Sequence, residues 1–191
     1  MMKQYQRIIL ASNSPRRKEL LNGLNIDFDV MVLPDVSEAY PDDLPVNEVA
    51  EYIAREKAQT YADIIKSDEI VLTADTVVIL GDEVLGKPAD EEDARRMLHK
   101  LSGHTHQVIT GVCITSADKQ RSFSVTTEVT FKQLSDSEID YYVNVCRPLD
   151  KAGAYGIQEW IGYVGVTGIK GSFYNVMGLP VQRIYDELTA F

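Results

Sequence analysis

Ser12-Asn13-Ser14-Pro15-Arg16-Arg17 places two serine hydroxyls and two guanidinium groups within six residues, directly after the apolar run Ile8-Ile9-Leu10-Ala11. The segment reads as a strand that turns sharply into a helix. Ser14 suits the N-cap, where its side-chain oxygen can accept an orphan helix N–H. Pro15 suits the first helical position, where a missing N–H costs nothing. Arg16 and Arg17 then fall in the first turn, where the helix end already carries partial positive charge. Cations gathered there suit a visiting anion. The backbone N–H groups, the hydroxyls of Ser12 and Ser14 and the two guanidinium forks would form a phosphate cradle. The plainer alternative is a capped helix whose arginines point into water.

Asp75 interrupts the apolar run Val71-Leu72-Thr73-Ala74-Asp75-Thr76-Val77-Val78-Ile79. An unpaired carboxylate in a buried strand is costly, so Asp75 is a candidate general base or metal ligand, or else a structural acid paired with a cation. Lys57 is a second anomaly. Stepping its helix at about 100° per residue puts Val49, Ala50, Ile53, Tyr61 and Ile64 on one face, with Lys57 in the middle of it. From that position the ammonium needs an anionic partner, a carboxylate or a phosphate, and a ligand phosphate fits the cradle at Ser12–Arg17. Glu38, in the acidic loop Asp35-Val36-Ser37-Glu38, would complete a carboxylate pair with Asp75 for a hard divalent cation. Lys87 follows a tight turn in Leu85-Gly86-Lys87-Pro88 and could reach a phosphate or stand exposed. Gln158 ends the glycine-rich segment Lys151–Gln158, where backbone can approach a ligand closely. Its amide could read the edge of a base or cap a strand. His104-Thr105-His106 lacks further zinc ligands and reads as structural, as do Tyr141, Tyr142 and Trp160.

Positioning these groups requires alternating strands and helices. Strands are expected near 7–11, 28–33 and 70–80, the last continuing through a Gly81-Asp82 hairpin turn. Two long strands near 106–115 and 122–132 follow. Helices are expected near 15–24, 46–66 and 91–101, from the capping box at Ser135 and Glu138 to about 144, and after Pro180. The pattern predicts an α/β fold with a mixed sheet and short connections.

The 191-residue chain carries 45% hydrophobic and 25% charged residues, ordinary for a globular protein able to bury one substantial core as one domain or two small lobes. Its net charge of −10 argues against broad attraction to nucleic acid or anionic membrane. No apolar run reaches the length of a membrane span, and Met1–Arg7 shows no signal-peptide pattern. Cys113 and Cys146 form neither a metal motif nor a disulfide framework, which suits a reducing cytoplasm.

Five segments, in order, carry a resemblance that spans the chain: Ser12–Arg17, Arg55-Glu56-Lys57-Ala58, Ala74-Asp75-Thr76-Val77, Gly86-Lys87-Pro88 and Ala152-Gly153-Ala154-Tyr155-Gly156-Ile157-Gln158. Together they resemble the Maf family of nucleoside triphosphate pyrophosphatases. The resemblance implies an elongated mixed β-sheet flanked by helices around a central cleft, similar to inosine-triphosphate pyrophosphatases, in a single domain over residues 1–191. It also implies a cytoplasmic, dimeric enzyme that needs a divalent cation and cleaves the α–β phosphoanhydride of a nucleoside triphosphate. The late segment looks like that of the subgroup acting on dTTP and UTP. In the same match Asp75 is the proton acceptor, and Arg16, Thr76 and Gln158 tune substrate choice. Where the family commonly continues with small, glycine-rich residues, this chain has Glu159-Trp160.

The residue reading and the resemblance then converge. Arg16, Arg17, Lys57 and Lys87 would hold the triphosphate and neutralise the leaving pyrophosphate. Mg²⁺ or Mn²⁺ on Glu38 and Asp75 would bridge phosphate oxygens, and Asp75 would deprotonate a water in line with the leaving group. The alternatives are the same reaction on a modified purine nucleotide such as 7-methyl-GTP, or a nucleotide-sensing regulator of septum formation.

Overall fold

The computed structural model describes residues 7–34 and 36–191; Asp35 of the acidic loop and the amino-terminal residues 1–6 lie outside the described residues. Among the described residues, seven strands form one mixed sheet: β1 (Arg7–Leu10), β2 (Phe28–Val30), β3 (Glu69–Leu80), β4 (Glu83–Leu85), β5 (Thr105–Thr115), β6 (Gln120–Phe131) and β7 (Val166–Lys170). The strand order is β2-β1-β3-β5-β6-β7, with β4 paired to β3. Helices are α1 (Pro15–Asn22), α2 (Val49–Gln59), α3 (Glu91–Leu101), α4 (Asp136–Cys146), α5 (Trp160–Gly165), α6 (Phe173–Val176) and α7 (Val181–Ala190), with a one-turn 3-10 helix at Ala152–Ala154. The expected mixed α/β architecture is present. None of these helices is long and apolar enough to cross a membrane, among the described residues.

The chain divides into two compact units whose boundaries fall within β3, β5 and β6 and between α6 and α7. The first comprises Met1–Asp75, Thr110–Val125 and Gly178–Phe191. There β1 pairs in parallel with β2 and with β3, Leu10 standing opposite Leu72. Residues 69–75 of β3 are buried throughout, which explains the nearly unbroken apolar run: both faces are covered. Helix α2 lies close enough to β5 that a Cβ on Gly111 would fall 2.3 Å from backbone atoms of Ala50 and Glu51. Thr73 Oγ1 donates to Ala54 O at 2.7 Å, tying the same helix to β3.

Helix α2 is shorter than its periodicity suggests. It stops at Gln59 rather than near 66, and Thr60 Oγ1 donates to Lys57 O at 2.7 Å at its end. The chain then turns so that the Tyr61 hydroxyl donates to Met31 O and accepts from Leu33 N, both near 3 Å. Tyr61 keeps its expected place in the core while Ile64 is exposed. Strand β2 likewise ends at Val30 rather than near 33.

The second unit comprises Thr76–Ile109 and Thr126–Met177. Its core gathers Val78, Leu98, Leu101, Val129, Phe131, Tyr142, Tyr155 and Ile161. The expected turn at Gly81-Asp82 joins β3 to antiparallel β4, with Gly81 at φ 60°, a left-handed conformation that glycine adopts without strain. Two caps behave as the sequence signals. Asp90 accepts from Asp93 N at 2.8 Å to start α3, and Ser135 and Glu138 form a complete capping box on α4.

Candidate active site

In the first unit the site is built where β1 ends. Ala11 N donates to Leu72 O at 2.9 Å, so the chain leaves β1 alongside the part of β3 that approaches Asp75. The turn that follows behaves as a helix start. Ser12 Oγ accepts from Ser14 N at 3.2 Å, Ser14 Oγ accepts from Arg17 N at 3.4 Å, and Pro15 opens α1. No acidic side chain occupies the first turn of α1, leaving Arg16 and Arg17 as its charges.

Arg17 has a role that its spacing did not reveal. Its Nε donates to Gly178 O at 2.9 Å and its Nη1 to Ala74 O at 2.8 Å. The side chain therefore ties α1 to the carbonyl immediately before Asp75. Burial lowers its pKa, the Asp75 charge opposes that, and Arg16 adds to the lowering. An arginine nonetheless stays charged in a protein, so a fixed positive charge stands beside Asp75.

Lys57, expected inside an apolar helix face, is there: its side chain is only 14% exposed. Its Nζ donates to Glu38 Oε1 at 2.7 Å and to Asp75 Oδ1 at 2.8 Å. The two carboxylates expected to act as a pair are thus drawn to one cation by residues 19 and 18 positions away in sequence. Of the two kinds of partner expected for Lys57, a carboxylate or a ligand phosphate, the chain itself supplies the carboxylates. An ammonium has three N–H donors, and these bonds use two of them. Asp75 is 9% exposed, so its charge is compensated within the unit rather than by water.

The same convergence tests whether a divalent cation suits these residues. Two carboxylate oxygens within 2.8 Å of a single cationic atom are a donor set that a hard cation can take, with water and phosphate oxygens completing its shell. The donor set fits a metal shared with a phosphate ligand. Among the described residues no group of three or more His, Cys, Asp or Glu side chains is arranged to hold a metal by protein groups alone.

Thr76, Lys87 and Gln158 belong to the second unit. Thr76 follows Asp75 on β3 and is half-buried, its side chain on the opposite face by strand alternation. Lys87 is exposed in the loop after β4. That loop is bonded to the glycine-rich segment, since Gly153 N donates to Gly86 O at 3.0 Å. Gln158 is partly exposed, but its Oε1 is buried and has no hydrogen-bond partner among the described residues. A buried acceptor left unmade costs free energy, and here it sits in the side chain expected to read a base.

Residues that remained in the background of the sequence reading support this segment. Lys151 is buried and its Nζ lies 2.7 Å from Asp150 and 3.0 Å from Glu159. Tyr142 donates to Glu159 Oε2 and accepts from Gly156 N. The available signal was a lysine and an acid at the two ends of a glycine-rich run; the tyrosine on a separate helix left none. His106 is structural, as expected: it is buried, and its Nε2 lies 2.7 Å from the Tyr155 hydroxyl.

The chain is 63% identical over 182 residues to a Phocaeicola vulgatus protein named dTTP/UTP pyrophosphatase, covering 95% of this chain and 94% of that protein. It is 57% identical over 190 residues to a protein of the same name from Parabacteroides distasonis, covering 100% and 98%. The solved structure of the Staphylococcus aureus Ham1 protein aligns with a TM-score of 0.54 at 18% identity over 95% of this chain and 100% of that one, a likeness of fold. Residues 7–191 match the family described as Maf-like protein, so the chain, from the Ser12–Arg17 turn through Asp75 to Gln158, belongs to the Maf family.

Proposed function

We propose that the chain hydrolyses dTTP and UTP to the nucleoside monophosphate and pyrophosphate. The observation that carries the reading is Asp75: a buried carboxylate in the middle of an apolar strand, held by Lys57 and flanked by the Arg17 guanidinium. A pure nucleotide sensor has no need for such a group. The names of the relatives support dTTP and UTP over a modified purine nucleotide.

In this reading Asp75 accepts the proton of a water aimed at the α-phosphorus, opposite the leaving pyrophosphate. Lys57 fixes the Asp75 carboxylate and directs its remaining N–H toward phosphate oxygen. Arg16 and Arg17 add positive charge, and Ser12 and Ser14 shape the turn whose N–H groups face the anion. Glu38 and Asp75 would hold the divalent cation, Mg²⁺ or Mn²⁺, which when bound screens phosphate charge. Lys87 is assigned to a phosphate, and Thr76 with Gln158 to substrate choice. Gln158 Oε1 supplies the acceptor that N3–H of uracil or thymine needs, while its NH₂ suits O4; cytosine presents the reverse pattern. A homodimer in the cytoplasm completes the reading; the free Cys113 and Cys146 suit a reducing compartment.

The test is pyrophosphate release from dTTP, UTP, CTP, GTP and 7-methyl-GTP with Mg²⁺ or Mn²⁺, using wild type and Asp75→Asn. Metal-dependent release from dTTP and UTP, reduced about 10³-fold or more in the variant, is the expected result. Release from none of the five would sink the enzymatic reading and leave the nucleotide sensor.

A further inference from the structure

Gln158 sits in a β-turn. Glu159 N donates to Gly156 O at 3.0 Å, so Gly156 and Glu159 are the turn's ends and Gln158 is its third residue. One hydroxyl holds both ends: Tyr142 Oη accepts from Gly156 N at 3.0 Å and donates to Glu159 Oε2. The other carboxylate oxygen, Oε1, lies 3.0 Å from Lys151 Nζ, at the start of the same glycine-rich segment. Tyr142 is completely buried, and the Lys151 side chain is 9% exposed.

The surroundings leave the turn little freedom. A Cβ on Gly162 would lie 1.8 Å from Ile157 O, just before Gln158, and one on Gly156 would lie 2.9 Å from Glu159 Cδ. Burial, reinforced by Glu159, raises the Tyr142 pKa, so the phenol keeps its proton and donates.

Packing alone does not call for this arrangement. Phenylalanine would fill the space of Tyr142, and an apolar residue at position 159 would avoid desolvating an acid and a lysine together. Polar groups at this cost specify geometry rather than add stability. We infer that Tyr142 and Glu159, with Lys151, are positioning residues that hold Gln158 for base selection, so that this chain's discrimination between uracil or thymine and cytosine depends on a brace outside the base-reading residue. The inference rests on Gln158 reading the base.

The brace is tested by measuring kcat and KM for UTP and CTP in wild type, Gln158→Ala, Tyr142→Phe, Glu159→Ala and Glu159→Gln, with thermal melting to verify folding. Tyr142→Phe leaves the Gly156 N–H and a Glu159 oxygen without their partner. Its UTP-over-CTP ratio should fall about tenfold, through a higher KM for UTP, with CTP little affected. Glu159→Ala should behave alike, whereas Glu159→Gln keeps an acceptor for the Tyr142 hydroxyl and should keep the ratio.

If Gln158→Ala collapses the ratio while Tyr142→Phe and Glu159→Ala preserve it, or lower both substrates equally, the brace is wrong and the base-reading role stands. If Gln158→Ala preserves the ratio, the base-reading role fails and the brace with it. Should Tyr142→Phe not fold, the contrast between the Ala and Gln variants at position 159 decides the matter.

Discussion

Lys57 Nζ donates to Asp75 Oδ1 at 2.8 Å, joining the last turn of α2 to a buried strand acid. The bond explains two sequence anomalies together: a lysine in an apolar helix face and an aspartate in an apolar strand each supply what the other lacks. It also fixes a carboxylate oxygen, as a water-activating group requires.

Because Lys57 contributes mainly by holding Asp75, with its phosphate contact the smaller part, removing either should remove much the same catalysis. Lys57→Met is expected to lower kcat/KM for UTP about 10²-fold or more, and the Lys57→Met, Asp75→Asn double variant should lose little beyond Asp75→Asn alone. Glu38→Gln, which keeps one acceptor for Lys57, should be milder and need more metal for half-maximal rate. Steady-state kinetics across metal concentrations make the comparison; losses that multiply in the double variant would show that Lys57 works independently of Asp75.

Gly111 sets where α2 stands, and with it Lys57, two turns along the helix from Ala50. Alanine at position 111 would bring a Cβ to 2.3 Å from the Ala50 and Glu51 backbone, which no side-chain rotation relieves. Gly111→Ala should destabilise the fold by about 2–3 kcal/mol, lowering Tm by roughly 5–10 °C. The folded fraction should also turn over UTP more slowly as Lys57 is displaced. A variant with wild-type melting and kinetics would mean that α2 shifts without consequence.

His106 gives the fold a pH dependence. Burial lowers its pKa to about 4, and its Nδ1 has no hydrogen-bond partner among the described residues. Between about pH 6.5 and 4 the unfolded imidazole binds a proton that the native one does not, so stability falls as pH drops through that window. The full contribution is on the order of 3 kcal/mol, and below about pH 4 it no longer changes. Urea unfolding of wild type and His106→Gln from pH 7 to 4 should show a shallower slope for the variant; equal slopes would remove His106 as the source.

The sequence alone determined features written locally. Asp90 and Ser135 marked helix starts because an N-cap bonds to its own next turn, and Gly81 marked a hairpin because a left-handed turn favours glycine. Periodicity placed Lys57 within a buried face and Asp75 within a buried strand, because burial imprints itself on residue spacing. The five family segments likewise contain the candidate site residues other than Glu38, which the acidic loop supplied.

Tertiary structure decided what lies between segments distant in the chain. Spacing could not end α2 at Gln59, because the turn beyond it follows Tyr61 to its partners at Met31 and Leu33. It could not name Glu38 and Asp75 together as the acids that meet Lys57, assign Arg17 to the carbonyls of Ala74 and Gly178, or bring Tyr142 to Gly156 and Glu159. A residue's place on its own helix or strand shows that it needs a partner; which group meets that need depends on how the remaining elements pack around it.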